Sequence, residues 1–181
     1  ISLYNYQYQN DDNRNYSYYK RVFVGALRAV DFITSLPQYN GKALGVTGSS
    51  QGGALSMVTA ALDKRVTFYA AIHPAMCDHR AHLQKVAGGW PHYFYYFPTP
   101  TPQRIQTADY YDMVNFARRI TVPGWFSWGY NDDVCPPTST YAAYNSITAP
   151  KELHPYLETG HYWYQEQYEQ WSQWLWAQMG L

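Results

Sequence analysis

The residues of this chain that could do chemistry are a serine, an aspartate and a histidine set far apart in the sequence. The serine stands in Gly48-Ser49-Ser50-Gln51-Gly52, a Gly-x-Ser-x-Gly pattern between a short apolar run and a segment rich in Ala, Leu and Met. A chain that turns from strand into helix over so few residues bends sharply, and the bend holds the Ser50 hydroxyl clear of its surroundings. Glycines are expected on both sides because a Cβ at either place would collide with the neighbouring strand or helix. A serine hydroxyl is a weak nucleophile near neutral pH and needs a base to take its proton as it attacks. His161, directly after Gly160, is the candidate base. An imidazole in that role needs a carboxylate that fixes its tautomer and stabilises its charged form. Asp132 is assigned to it, with Asp133 as the competitor that a slip of one residue would exchange. The chemistry is acyl transfer through a covalent intermediate. The Gln51 backbone N–H, at the helix start, is the expected oxyanion donor, and one such donor is typically worth about 10² to 10³ in rate. The remaining histidines, His73, His79, His82, His92 and His154, read as solvated or hydrogen-bonded loop residues.

Elements of alternating type must position these groups. Phe23, Leu27, Val30 and Ile33 recur at three and four residues and predict a helix over 19–35, stopped by Pro37. A strand over 42–47 runs into the Ser50 turn, and a helix follows over 54–62. Further strands are expected over 66–72, 120–128 and 152–157, and further helices over 109–118, 138–147 and from about 162. Residues 1–18, polar and rich in tyrosine, form a surface segment, and 90–102 reads as an aromatic and Pro-rich loop insertion. Apolar strands alternating with helices imply a parallel sheet covered on both faces. Sites in such sheets lie beyond the carboxyl ends of the strands. Three loops in that position carry Ser50, then Asp132 and Asp133, then His161.

The order Ser…Asp…His and the elbow around Ser50 are those of the α/β-hydrolase fold. The fold class is therefore α/β, with 1–181 as a single partial domain. In that fold several strands precede the elbow, and the second oxyanion donor comes from a loop among them. Only one helix precedes it here, so the N-terminal strands are expected to be missing, as in a truncated chain. The free edge of the elbow strand then belongs to another copy in a homo-oligomer, to a missing N-terminal half of the same protein, or to nothing.

Composition narrows the classes. Lys+Arg and Asp+Glu are balanced at 13 each, so no basic face for nucleic acid is expected. No apolar run approaches the roughly 20 residues that cross a bilayer, so no membrane partner is expected, and no signal peptide stands at the start. Cys77 and Cys135 are too few for a disulfide scaffold, lack zinc-site spacing, and are expected as free thiols. Twenty tyrosines and seven tryptophans can pack a core, form an oligomer interface or stack on sugars. An aromatic-rich, Lys-poor chain suits an extracytoplasmic protein, periplasmic or secreted.

At these residues the sequence resembles the acetyl xylan esterase/cephalosporin C deacetylase group, carbohydrate esterase family 7. The matching pieces are Gly45-Val46-Thr47-Gly48-Ser49-Ser50-Gln51-Gly52-Gly53, Pro74-Ala75-Met76-Cys77-Asp78, and Gly129-Tyr130-Asn131-Asp132-Asp133-Val134-Cys135-Pro136-Pro137. Ala142-Ala143-Tyr144-Asn145 and Gly160-His161 complete them. The resemblance implies a triad of Ser50, Asp132 and His161, favours Asp132 over Asp133, and implies removal of acetyl groups from an acetylated sugar or oligosaccharide with no cofactor and no metal. Ser49, the Met76 and His79 neighbourhood, and the stretch 90–97 depart from the family pattern. The aromatic stretch is expected to pack a core or an oligomer rather than to form a sugar-stacking wall. Two other readings share these features: a prolyl-oligopeptidase-like serine peptidase, and a non-catalytic carbohydrate-binding or assembly module on a decayed hydrolase fold.

Overall fold

The computed structural model describes residues 3–181. Four parallel strands form one sheet in the order β1-β2-β3-β4: β1 Gly45–Ser49, β2 Phe68–Ile72, β3 Gly124–Gly129 and β4 Lys151–Tyr156. Helices connect them: α1 Tyr18–Ser35 leads in, and α2 Gln51–Leu62 follows β1. Next come α3 Tyr93–Tyr96, α4 Pro102–Tyr110 and α5 Met113–Ala117 after β2, α6 Pro137–Asn145 after β3, and α7 Gln165–Met179 after β4. This is the α/β-hydrolase arrangement expected from the motif order. None of the described helices is long and apolar enough to cross a membrane.

Period-two alternation inside fully buried strands builds two cores. Tyr69, Ala71, Phe126 and Trp128 face one side, against the α1, α2 and α6 residues Phe23, Met57 and Ala143. Phe68, Ala70, Ile72 and Trp125 face the other, against Trp174 of α7. Both faces being covered, β2 and β3 are apolar throughout. β1 is less buried, and among the described residues its outer edge pairs with no strand. Helix α7 is fastened by polar contacts as well. Gln167 Nε2 donates to Ser127 Oγ at 2.6 Å, Trp171 Nε1 to Thr47 Oγ1 at 2.9 Å, and Trp174 Nε1 to Glu152 Oε1 at 2.9 Å.

The structure corrects several expected boundaries. β1 starts at Gly45 rather than 42 and runs to Ser49, because its register with β2 continues through the pair Ser49–Ile72. α2 begins at Gln51, immediately after the turn. The single helix expected over 109–118 is two helices with a break at Asp112. There the carboxylate caps α5 by accepting the Val114 N–H and also takes the N–H groups of Asp78 and His79. The stretch 90–102 contains the short helix α3, with Tyr93 and Phe94 buried and Tyr95 and Tyr96 exposed. The tyrosine-rich start of the chain is tied down: Tyr8 donates to Pro91 O, Tyr93 to Gln7 O, and Arg104 pairs with Asp11.

Candidate active site

Ser50 stands where β1 ends. Its N–H donates to Ile72 O of β2 at 2.8 Å, and its carbonyl accepts from Ala54 of α2 and Ala75 after β2. These bonds hold it at φ 56°, ψ −121°, a conformation that non-glycine residues rarely adopt. Gly48 permits the bend, since a Cβ there would lie 2.4 to 2.8 Å from the Gly52 backbone. At Gly52 the steric expectation is overturned: nothing lies within 4 Å of an added Cβ. The second crowded glycine is Gly53, where a Cβ would meet Ile72 O at 3.0 Å and Gly48 O at 3.2 Å. Gln51 opens α2, so its N–H is among those the helix leaves without an intrahelical acceptor, at the positive end of the helix dipole. The Gln51 side chain accepts from Tyr6 Oη at 2.6 Å.

Asp132 lies in the loop after β3, buried at 3 % exposure, whereas Asp133 is exposed. Asp132 Oδ1 accepts the backbone N–H groups of Val134 at 2.9 Å and Cys135 at 2.8 Å. Its Oδ2 faces Nδ1 of His161 at 2.7 Å. The loop that carries His161 closes over Gly129, where a Cβ would come within 2.2 Å of Thr159 O, and Asn131 N–H donates to that carbonyl at 2.9 Å. The close packing of these two loops brings the imidazole onto the carboxylate. Burial pushes the Asp132 carboxyl up, but the hydrogen bonds from His161 and the Cys135 backbone, with the His73 imidazole close by, outweigh it and hold the group well below the usual carboxylate range.

Cys135 lies beside the Ser50 side chain, and its N–H holds Asp132. Ser50, Asp132 and His161 thus stand at one rim of the sheet. Cys77 and Cys135 are both free and buried, and desolvation raises both thiols far above their ordinary range. Neither is a nucleophile at neutral pH.

Sequence reasoning missed His73. It stands directly after β2, is 1 % exposed, and lies with Nδ1 3.3 Å from Asp132 Oδ2 and its ring 5.2 Å from that of His161. The legible signal was its place, since it follows an apolar strand whose carboxyl end adjoins that of the elbow strand. His79 is also buried, with no hydrogen bond on either ring nitrogen. His82, His92 and His154 are partly exposed. Among the described residues, the donor atoms of His73, Asp132 and His161 alone gather closely enough to hold a cation, all within 4.8 Å.

Comparison with known proteins gives the family. The sequence model of the family Acetyl xylan esterase (AXE1) matches residues 9–178. The chain belongs to the acetyl xylan esterase family. It is 55 % identical over 142 residues to the acetyl esterase Axe7A of Xylanibacter ruminicola, a match that covers 78 % of this chain and 32 % of that protein. The structure is similar to an acetyl xylan esterase from Paenibacillus sp. R4, with TM-score 0.86, 28 % identity, and 95 % of this chain and 57 % of that one covered. It is also similar to acetyl xylan esterase 1 from Thermoanaerobacterium sp., with TM-score 0.85, 26 % identity and coverage of 98 % and 59 %. The chain therefore spans about a third of the curated relative and under three fifths of these solved structures.

Proposed function

We propose that this chain carries the triad of a serine esterase that removes acetyl groups from acetylated xylan or xylo-oligosaccharide. One observation carries the reading above all: the contact of His161 Nδ1 with Asp132 Oδ2 at 2.7 Å, beside a serine strained onto the start of α2. As Ser50 Oγ attacks the acetyl carbonyl carbon, its proton passes to His161 Nε2, and Asp132 stabilises the imidazolium. The carbonyl oxygen takes the negative charge facing the Gln51 N–H. Collapse breaks the ester bond, and the sugar oxygen leaves with the proton from His161. Water, deprotonated by the same imidazole, then attacks the acetyl-serine and releases acetate. The acetyl preference and the sugar come from family membership and from the substrates named for the relatives.

The test is covalent labelling of Ser50 by a fluorophosphonate, with Ser50→Ala as control. Labelling of the native chain, lost in the control, is the expected result. Equal labelling of both would remove Ser50 from the reaction.

A further inference from the structure

We propose that His73 is a positioning residue of this site: a second imidazole on the Asp132 carboxylate that limits how readily His161 holds a proton. The inference rests on the triad reading above and goes beyond it. Oδ2 of Asp132 receives His161 Nδ1 at 2.7 Å and lies 3.3 Å from His73 Nδ1, while Oδ1 is taken by two backbone N–H groups. His73 is buried, its backbone sits at φ 42°, and neither ring nitrogen makes a hydrogen bond of good geometry. Burying an imidazole with an unpartnered nitrogen on a strained backbone works against stability. The polar atom it faces instead is the carboxylate oxygen that His161 uses.

The tautomer that sets no lone pair against the carboxylate carries its proton on Nδ1, and that tautomer gives the sign of the effect. With its proton on Nδ1, His73 turns the positive edge of its ring toward Oδ2, off the line of a full hydrogen bond but at a buried place where charges act strongly. Part of the charge on Oδ2 is then balanced by His73, and less is left to stabilise an imidazolium on His161. The base therefore stays unprotonated, and able to accept from Ser50, to lower pH. A proton added to His73 acts in the same direction, by repulsion across rings 5.2 Å apart. The titratable groups that face His73 are Asp132 from the loop after β3 and His161 from the loop after β4. Cys135 lies on the Oδ1 side of the carboxylate, and the start of α2 adds the Ser50 backbone bonded to Ile72.

The experiment is the pH profile of kcat/KM on an aryl acetate, measured on the full-length protein and its His73→Phe, His73→Leu and His73→Asn variants. Phe keeps the ring without its nitrogens, Leu is the smaller apolar variant should the phenyl ring not pack, and Asn restores a donor near the place of Nδ1. Either apolar variant is expected to move the acid limb upward by about half a pH unit, roughly a threefold loss on the acid side, with little change on the plateau. Asn is expected to return the limb toward its original place. A parallel ¹H NMR titration of the hydrogen-bonded His161 Nδ1 proton should show the same displacement without turnover. An acid limb that stays put in both apolar variants, whether the plateau falls or not, overturns the inference and leaves His73 a structural residue. Asp132→Asn separates the two readings. If it retains full activity the triad fails, whereas an inactive Asp132→Asn beside an unmoved His73→Phe limb refutes the role of His73 alone.

Discussion

Gly48→Ala and Gly52→Ala, the two glycines of the Gly-x-Ser-x-Gly pattern, are predicted to behave oppositely. At Gly48 the added methyl would sit 2.4 Å from Gly52 C, 2.5 Å from Gly52 O and 2.8 Å from Gly52 Cα, all backbone atoms of the first turn of α2. To reach ordinary contact at 3.4 Å, that turn must retreat from the strand by about 1 Å. Overpacking of this kind costs about 1 to 3 kcal/mol. In a chain of this size that lowers Tm by about 3 to 10 °C. The same retreat carries Ser50 and the Gln51 N–H with it, and a displacement of about 1 Å at reacting atoms costs on the order of 10²-fold in rate. At Gly52 nothing lies within 4 Å of the new methyl, and alanine in place of a helical glycine is worth up to about 1 kcal/mol. Gly52→Ala should therefore match or slightly exceed the parent in Tm and label at a similar rate. Thermal unfolding by circular dichroism and the rate of fluorophosphonate labelling measure both quantities on the same samples. Equal losses in the two variants, or a harmless Gly48→Ala, would refute the steric account of the elbow.

Two further outcomes follow from the site's electrostatics. Asp132→Asn keeps an oxygen to accept the Val134 and Cys135 N–H groups but turns an amide toward His161, which forces the wrong tautomer. The rate of Ser50 labelling should fall on the order of 10⁴-fold with Tm changed by only a few degrees, and an unchanged rate would break the assignment. Stability should also decline with falling pH in two windows, read from urea midpoints between pH 8 and pH 3. Desolvation by burial depresses His79, His82 and His92, so the unfolded chain takes up protons there first. That contribution is complete above the ordinary histidine value of about 6.5 and is lost as pH falls below it. Asp132 is held below its ordinary value, so its contribution is complete above about pH 4 and is lost as pH drops further. Each proton taken up on unfolding gives a slope of about 1.4 kcal/mol per pH unit, and a midpoint flat from pH 8 to pH 5 would contradict the buried state of His79.

The sheet was legible in the sequence because its two central strands are buried on both faces. FYAAI in β2 and GWFSWG in β3 can be apolar without interruption only if helices cover both sides. The break between α4 and α5 was not legible. It depends on the Asp112 carboxylate bracing the distant loop at Asp78 and His79, a tertiary use of a residue that local periodicity assigns to a helix surface. Helix α4 did leave a signal, since Thr101 caps it and Pro102 opens it, the pairing that favours a helix start. Local chemistry alone left Asp132 and Asp133 interchangeable, and only the family resemblance favoured Asp132. Adjacent residues in a loop differ only in which way they turn, and here one is sealed under His161 while the other faces water.

Backbone strain explains why His73 escaped a reading that found Ser50. Among the described residues, Ser50, His73, Met76, Asp78 and His92 all hold positive φ without being glycine, on the loops that follow β1 and β2. Glycine announces such a conformation in the sequence, and a histidine or methionine in the same conformation does not. Ser50 was found because Gly48 and Gly52 flank it in a recognisable pattern, whereas His73 has no such flank. What holds His73 in place is the pairing of Ile72 with both Ser49 and Ser127 and the bond from His73 N–H to Ser127 O at 2.8 Å. These contacts place the ring beside the carboxylate whatever its local preference. The rigid centre of the sheet thus imposes the strain, and the loops at its carboxyl end convert it into the convergence of side chains on which the proposed chemistry depends.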